Sequence, residues 1–296
     1  MSEQLVFHVD SQYDNMQAKR YLKQIQGLST RLLTRLKEKP DGILMNGNLL
    51  RTVDPVRAGQ TIVINLPDEN SEIEPKEGEL DVLYEDSFIL AVNKPPFMPV
   101  HPVKQHKTDT LANIVTYYME QRGENYVFRA HNRLDRDTSG IVIIAKDKFT
   151  INKLKNNVKK TYTAVVHGKV DADGTVIKPI GLREDSKIVR HVLDEGSPAV
   201  THYQPISFND EASLLSLTLE TGKTHQIRCH MSYLGHPLIG DDLYGGSREL
   251  INRQALHCGR VEFIHPVSNK KISLGAPLPK DMTEAVIMLI PKLKED

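Results

Sequence analysis

Apolar residues near the start of the chain recur first at helical spacing and then in alternation. Three leucines stand four positions apart within LSTRLLTRLKEK (28–39) and predict one buried stripe of a helix: Leu28, Leu32 and Leu36. Asn46-Gly47 lies between two apolar runs, which predicts a tight hairpin. The alternating run AGQTIVINLP predicts a strand that stops at Pro67. Residues 1–66 are therefore predicted to form a small helix-plus-hairpin domain.

The next residues, 67–79, are acidic and carry two prolines without an apolar period, which predicts a linker. Residues 80–296 are predicted to form a second domain, because short strand-like runs dominate them: GIVIIAKD, TYTAVVHGKV, LLSLTLE, ALHCGRVEFIHP and KKISLGAP. The run KFTINKLKNNVKK instead predicts a helix with one apolar side, formed by Ile151, Leu154 and Val158. Strands outnumber helices and many are linked by hairpins, so we predict the α+β class with a mixed, largely antiparallel sheet.

Composition places the chain among soluble globular proteins, because 26% of its residues are charged and 39% are apolar. No run of about 18 apolar residues is present, so we expect no membrane span. Cys229 and Cys258 are the only cysteines, too few for a disulfide framework, and they agree with a cytoplasmic location. The net charge of +0 argues against binding to nucleic acid through the overall charge of the protein.

Charge is nevertheless unevenly distributed along the chain. Residues 17–39 carry seven Lys or Arg against one Glu, whereas residues 68–86 carry nine Asp or Glu against one Lys. A basic helix face is usually just solvated, and charge alone favours that interpretation. The order of helix, MNG turn and AGQTIVI strand, however, resembles the small RNA-binding domain of ribosomal small-subunit protein four. The resemblance implies that the helix rests on RNA phosphates through Arg31, Arg35 and Lys37.

Candidate chemistry is concentrated in HNRLDRDTSG (131–140), a loop that leads into a predicted strand. Two carboxylates, Asp135 and Asp137, alternate there with two arginines, Arg133 and Arg136. Taken alone, the stretch fits a surface turn in which Asp135 pairs with a neighbouring arginine, and such pairs contribute little. The other hypothesis is that Asp135 is a catalytic acid, with Asp137 only a turn-former.

A second stretch, LETGKTHQIRCHMSYLGHPLIGD (219–241), raises the odds of the catalytic hypothesis. It predicts a helix that Thr224 caps and Gly235 ends, with a buried stripe formed by Ile227, Met231 and Leu234. Arg228 would lie in the first turns beside His225, and its guanidinium can clamp a carboxylate bidentately and keep it ionised. An ionised, oriented acid is what a nucleophile or a general base requires.

These motifs together resemble the RluA group of uracil pseudouridine synthases. The resemblance covers essentially all of residues 80–296 and rests on five motifs in order: YEDSFILAVNKP, RLDRDTSG, KTYTAVVHG, TGKTHQIRCHMSYLGHPLIGDDLYG and LHCGRVEFIHP. It implies the fold of that family and conversion of chosen uridines to pseudouridine in ribosomal or transfer RNA. Two positions depart from the usual pattern: Asn132, where many relatives have His, and Lys223, where Arg is commoner.

The resemblance also implies a role for each matching side chain. Asp135 would be the essential catalytic aspartate, Arg228 its salt-bridge partner, and Tyr162 the ring that stacks on the target uracil. Arg133 would fill the space that the flipped nucleotide vacates, and Leu256 would line the base pocket. Further substrate contacts are predicted for Lys223, His225 and Lys160. Lys160 belongs to a basic run that we assign to a helix before Tyr162; the run either contacts phosphate or is simply a solvated face.

The reaction itself limits what the protein requires. Breaking the N1–C1′ bond, turning the uracil and joining C5 to C1′ neither oxidises a group nor donates one, so we expect no cofactor. Two scattered cysteines likewise give little support for a metal site. Asp135 would attack C1′, attack the uracil ring or remove the ribose 2′ proton, and the residues leave these alternatives open.

The rival hypothesis from another class is a non-catalytic RNA-binding or ribosome-assembly protein that keeps the fold as a scaffold. A scaffold has no use for Asp135, Tyr162 and Arg228 together, so we favour the enzyme. The expected partner is RNA, with large-subunit ribosomal RNA preferred to transfer RNA. We expect no DNA partner and a monomeric protein.

Overall fold

A computed structural model describes residues 4–67, 71–124 and 126–290. The outer ends of both predicted domains (1–3 and 291–296) and part of the predicted linker (68–70) lie outside these residues. The N-terminal part contains a four-stranded antiparallel sheet in the order β1-β4-β2-β3 and two helices. These elements are β1 (Gln4–His8), α1 (Ala18–Arg20), α2 (Thr30–Lys37), β2 (Ile43–Met45), β3 (Asn48–Leu49) and β4 (Thr61–Asn65). A π-helical turn, Tyr21–Ile25, follows α1 directly.

The predicted basic helix is α2, and its start is set by a side-chain cap. The Ser29 hydroxyl accepts a hydrogen bond from the Leu32 N–H at 3.1 Å and satisfies one of the free amides of the first turn. The three predicted leucines are all buried, and Leu32 and Leu36 confirm the apolar stripe of the helix. Leu28 instead lies before the Ser29 cap, outside α2. The predicted hairpin is also confirmed, because Asn46 and Gly47 both have positive φ, 48° and 81°, as a tight hairpin turn requires.

The larger part of the chain is organised on a nine-stranded sheet. Its order is β5-β6-β7-β14-β8-β13-β12-β9, with β15 paired to β14, and β10 and β11 form a separate pair. The first half comprises β5 (Val82–Glu85), β6 (Ile89–Lys94), α3 (Leu111–Gln121), β7 (Ser139–Ala145), α4 (Lys148–Leu154), β8 (Val158–His167), β9 (Gly174–Ile177) and β10 (Ile180–Leu182). The second half comprises β11 (Arg190–Val192), β12 (Val200–Phe208), β13 (Ala212–Leu219), α5 (Gln226–Tyr233), β14 (Leu256–Ile264), β15 (Lys271–Gly275) and α6 (Lys280–Leu289).

The predicted α+β class is confirmed, and the sheet is mixed as expected. Only the β7–β14 pairing within it is parallel, among the strands that the structure describes. Gly140 permits this close pairing, because its φ is +115° and a Cβ there would stand 2.4 Å from the Cys258 carbonyl oxygen. Since the two strands run in the same direction, the loop before β7 and the first residue of β14 meet at one end of the sheet.

The N-terminal part and the larger part share apolar contacts. Phe149 of α4 is buried within the N-terminal core, where its ring lies edge-on to that of Phe7 at a centroid distance of 6.1 Å. The predicted linker also contacts α3. Lys76 donates its N–H to the Asn113 carbonyl at 3.1 Å, and the Asn113 amide donates to the Glu74 carbonyl at 2.7 Å. The boundaries of the two domains stay a prediction.

Two helix predictions are wrong in part. Helix α4 ends at Leu154, and Val158 already begins β8, so Lys159 and Lys160 lie on a strand. Tertiary pairing outweighs the helical period here, because β8 hydrogen-bonds to β13 on one side and to β14 on the other. Several elements were not predicted at all: β1, α1, α3, β9, β10, β11, β12 and α6.

Helix α5 begins one residue later than a Thr224 cap requires. His225 precedes it with φ of 55°, and the Gln226 side chain closes the turn by accepting the Lys223 N–H at 3.0 Å. Ile227 is buried as predicted, whereas Leu234 is 36% exposed and lies outside the buried stripe. Within the described residues, no helix combines the length and the apolar character needed to cross a membrane.

Candidate active site

A cleft opens where the loop before β7, strand β8, the start of β14 and the start of α5 converge. It brings together seven of the eight site residues predicted for the larger domain: Arg133, Asp135, Tyr162, Lys223, His225, Arg228 and Leu256. The remaining wall consists of Leu134, Thr138, Leu219, Gln226 and Ile227. Lys160 is the exception. It is half-buried near His131 and Cys258, where burial lowers its pKa, and it does not line the cleft.

The loop that carries Asp135 is fastened to the strands beside it. Asn132 is buried, donates its amide to the Ile141 carbonyl at 2.8 Å and accepts the Ile143 N–H at 3.0 Å. Asn132 thus clamps the loop onto β7. Lys94, with 0% of its surface exposed, donates to three carbonyls, including that of Arg136 at 3.1 Å. Burial lowers the pKa of Lys94 to about 7.

The ion pair that the sequence predicted between Arg228 and Asp135 is present, but the bidentate grip lies elsewhere. Arg228 donates from Nη1 to Asp135 Oδ2 at 3.0 Å. Its Nε and Nη2 instead hold both oxygens of the fully buried Asp241, at 2.7 and 2.8 Å. Burial lowers the pKa of Arg228, but the two carboxylates raise it more strongly, above its ordinary value. Arg228 therefore stays charged and is fixed in one orientation.

Asp241 is a functional residue that sequence reasoning missed. Its signal was the pattern of GHPLIGDD, in which an acid follows an apolar run soon after the helix of Arg228. An arginine on a buried helix face requires a buried anion, because an unpaired internal charge is very costly. That requirement could have singled out the first aspartate of the pair. Asp242, the second, instead pairs on the surface with Arg248.

His225 reaches the cleft from the turn before α5 and is held in place by Tyr244. Its Nδ1 lies 3.0 Å from the Tyr244 hydroxyl, which also accepts the Arg190 N–H at 2.9 Å. Its Nε2 lies 3.8 Å from Asp135 Oδ2, beyond hydrogen-bond distance. Burial is the main cause that lowers the pKa of His225, although the charge of Asp135 opposes it. The imidazole is therefore neutral at pH 7.

Tyr162 and Leu256 form the apolar side of the cleft. Both are buried, on the neighbouring strands β8 and β14. Burial raises the pKa of Tyr162 well above its ordinary value, with Cys258 and Asp135 as further causes, so the phenol is neutral. Burial also raises the pKa of the Cys229 thiol to about 11, which excludes it as a nucleophile at neutral pH. No group of three metal-ligating side chains occurs in the part of the chain that the structure describes.

The predicted RNA-contacting residues of α2 lie beside cations of the larger part. Arg31 and Lys37 are exposed and Arg35 is half-buried. Burial lowers the pKa of Lys148, and the nearby charges of Arg35, Arg129 and Arg31 lower it further. The basic face of α2 therefore continues onto the start of α4.

Known proteins resemble the chain over most of its length. Residues 88–233 match the family described as RNA pseudouridylate synthase. The "Uncharacterized RNA pseudouridine synthase YjbO" of Bacillus subtilis (strain 168) is 40% identical, over 92% of this chain and 98% of the relative. The "Ribosomal large subunit pseudouridine synthase D" of Vibrio parahaemolyticus serotype O3:K6 (strain RIMD 2210633) is 36% identical, over 86% of each chain.

A solved structure extends the likeness to the fold. "Human RNA Pseudouridylate Synthase Domain Containing 1" superposes with a TM-score of 0.56 at 25% identity, over 69% of this chain and 86% of that one. The fold is thus that of an RNA-modifying enzyme. More particularly, this chain belongs to the RNA pseudouridine synthase family. The predicted enzyme class is confirmed, and a non-catalytic scaffold is not supported.

Proposed function

We propose that this enzyme isomerises a specific uridine of large-subunit ribosomal RNA, with Asp135 as the catalytic carboxylate. The choice of RNA is supported by relatives named as large-subunit ribosomal enzymes, which align with 86% of this chain in the Vibrio case. The choice of residue rests on one observation. Asp135 is the carboxylate that the cleft presents beside both a fixed guanidinium and an apolar wall.

The geometry suits a nucleotide that has left its stack. A uracil within a helix is out of reach, so it must be extruded at a cost of a few kcal/mol. Stacking on Tyr162 would recover about 1–3 kcal/mol of that cost. Arg133 is exposed at the cleft and would occupy the gap left in the RNA, while Leu256 would pack against the base.

The chemical step exchanges one glycosidic bond for another. The N1–C1′ bond breaks, the C5–C1′ bond forms, the C5 proton leaves and N1 takes up a proton, so atoms and electrons balance without a cofactor. Arg228 orients the Asp135 carboxylate for this step through its bond to Oδ2, whether Asp135 attacks carbon or removes the ribose 2′ proton. The apolar walls exclude water, because hydrolysis of the detached base would leave an abasic site.

Tritium release from RNA that carries [5-³H]uridine measures the reaction directly. Asp135→Asn should reduce release at least about 10⁴-fold, because the amide can neither act as a base nor attack. The matched control is Asp137→Asn two residues away, whose side chain pairs with Arg136 at 2.7 Å and which should stay within about twofold of the wild type. Turnover by Asp135→Asn near the wild-type rate would refute the assignment.

The N-terminal part is proposed to hold the RNA backbone without reading its sequence. Each cation that contacts a phosphate contributes about −0.7 to −0.9 to the slope of log affinity against log salt concentration. Removing Arg31 and Lys37 together should therefore weaken binding and flatten that slope by about 1.5. The control is Arg51→Ala, whose exposed side chain already pairs with Asp54 and should leave the slope unchanged.

Mapping pseudouridines in cells that lack the gene identifies the target. Loss of one site in large-subunit ribosomal RNA, restored by the wild type and not by Asp135→Asn, is the expected result. Loss confined to transfer RNA would overturn the choice of RNA while leaving the catalytic assignment intact.

A further inference from the structure

His225 and Tyr244 form a hydrogen-bonded unit at the edge of the cleft. Tyr244 accepts the Arg190 N–H at 2.9 Å, and its hydroxyl also lies 3.0 Å from His225 Nδ1. The phenol has one proton to donate, and among the described residues Nδ1 is the acceptor bonded to its hydroxyl, so that proton is directed to the lone pair of Nδ1. The network therefore assigns the ring proton to Nε2, the nitrogen that faces Asp135.

The distance between this nitrogen and the carboxylate leaves room for one group that hydrogen-bonds to both. His225 Nε2 and Asp135 Oδ2 are 3.8 Å apart, too far for a direct hydrogen bond. An oxygen placed about 2.8 Å from each of them would subtend roughly a right angle, which a hydroxyl that accepts one bond and donates another can adopt. The pair thus offers one donor and one acceptor to a single hydroxyl.

The reaction specifies which hydroxyl stands there. The bond that breaks is at C1′, and the only hydroxyl on a carbon next to C1′ is the 2′-hydroxyl of the ribose. We propose that His225 donates Nε2–H to the 2′-hydroxyl of the target uridine while Asp135 accepts from it, and that Tyr244 positions His225 by fixing its tautomer. This inference rests on the proposed function.

The charges around His225 support a neutral donor. Burial and the guanidinium groups of Arg228 and Arg190 lower the pKa of His225, whereas the carboxylates of Asp135 and Asp241 oppose the shift. Tyr244, the remaining titratable contact, has its pKa raised by burial to about 12 and stays a phenol. Arg228 also lies over the Tyr244 ring, 5.0 Å from its centroid, which holds the ring in place.

A thermodynamic cycle tests the contact: His225 is substituted in the protein, and the 2′-hydroxyl is removed from the substrate. The substrate is an RNA fragment that supports tritium release, made with either uridine or 2′-deoxyuridine at the target. His225→Ala should reduce kcat/KM about tenfold on the ribose substrate and less than twofold on the 2′-deoxy substrate. His225→Gln keeps an N–H donor and should recover part of the loss. Equal losses on both substrates would overturn the contact.

The role of Tyr244 has a separate readout. In protein carrying ¹⁵N-labelled histidine, the ring-nitrogen shifts of His225 should report the Nε2–H tautomer for the wild type and a mixture for Tyr244→Phe. The control is Tyr118→Phe, which removes a hydroxyl bonded to Glu85 at 2.7 Å away from the cleft. An Nδ1–H tautomer in the wild type, or no change in Tyr244→Phe, would overturn the positioning role.

The two proposals fail in different ways. If the wild type forms pseudouridine, but the wild type and His225→Ala discriminate equally against the 2′-deoxy substrate, only this inference is contradicted. A wild-type enzyme that releases no tritium from ribosomal RNA contradicts the proposed target, and the tautomer measurement still decides whether Tyr244 fixes His225.

Discussion

Replacing Asp241 by alanine tests how Asp135, the proposed catalytic carboxylate, is held. The side chains of Asp241 and Arg228 are 1% and 8% exposed and share two hydrogen bonds of 2.7 and 2.8 Å. Removing one partner of such a buried pair costs about 3–5 kcal/mol, because the other charge is left uncompensated. Arg228 keeps its bond to the partly exposed Asp135, so we expect a loss in unfolding free energy near the lower limit, about 3 kcal/mol. Released from its bidentate grip, the guanidinium would no longer orient Asp135, and kcat should fall on the order of 10²-fold.

The chain contains no tryptophan, so urea unfolding is best followed by circular dichroism, with tritium release as the activity assay. The matched control is Asp242→Ala at the next position, whose pair with Arg248 is more than half exposed and contributes less than about 1 kcal/mol. The double variant that also lacks Arg228 should be little less stable than Asp241→Ala alone, since both belong to one pair. The reasoning is refuted if Asp241→Ala and Asp242→Ala lose equal stability, or if Asp241→Ala retains full kcat.

Three further predictions concern the framework. Gly140→Ala should lose at least about 3 kcal/mol in urea unfolding, because φ is +115° and the new Cβ meets the β14 backbone at 2.4 Å; wild-type stability would contradict this. Phe149→Ala should lose about 3–5 kcal/mol and make the N-terminal part more sensitive to proteolysis, since its ring completes that core; an unchanged digestion pattern would count against it. Cys229 and Cys258 should resist a thiol reagent at pH 8 until urea is added, because burial raises their pKa values to about 11 and about 12; fast labelling of the native protein would disprove it.

Sequence patterns predicted local structure wherever a local rule decides it. The Asn46-Gly47 turn follows from the positive φ that both residues tolerate, and the leucine stripe of α2 follows from helical spacing. Helix α4 was predicted too long, because the same spacing continues to Val158 while β14 pairs with that segment. Pairing partners more than 50 residues away in the chain leave no local trace.

In the cleft, too, some residues were predicted from the sequence and others were not. Resemblance brought Asp135 and Arg228 together correctly, and the structure joins them at 3.0 Å. Asp241, which holds Arg228, and Tyr244, which contacts His225, were not predicted, since their importance depends on which side chains are buried after folding. Lys160 was placed at the substrate for its position near Tyr162, but its pocket beside Cys258 depends on the strand register.

The position of β14 has a consequence for biosynthesis. Residues 256–264 supply the strand that separates β7 from β8, although both neighbours are translated about a hundred residues earlier. A nascent chain on the ribosome therefore carries two unjoined half-sheets and no finished cleft until this late segment emerges. Until then the cleft lacks the wall that Leu256 supplies, and chaperones would find the exposed edges of both halves during that interval.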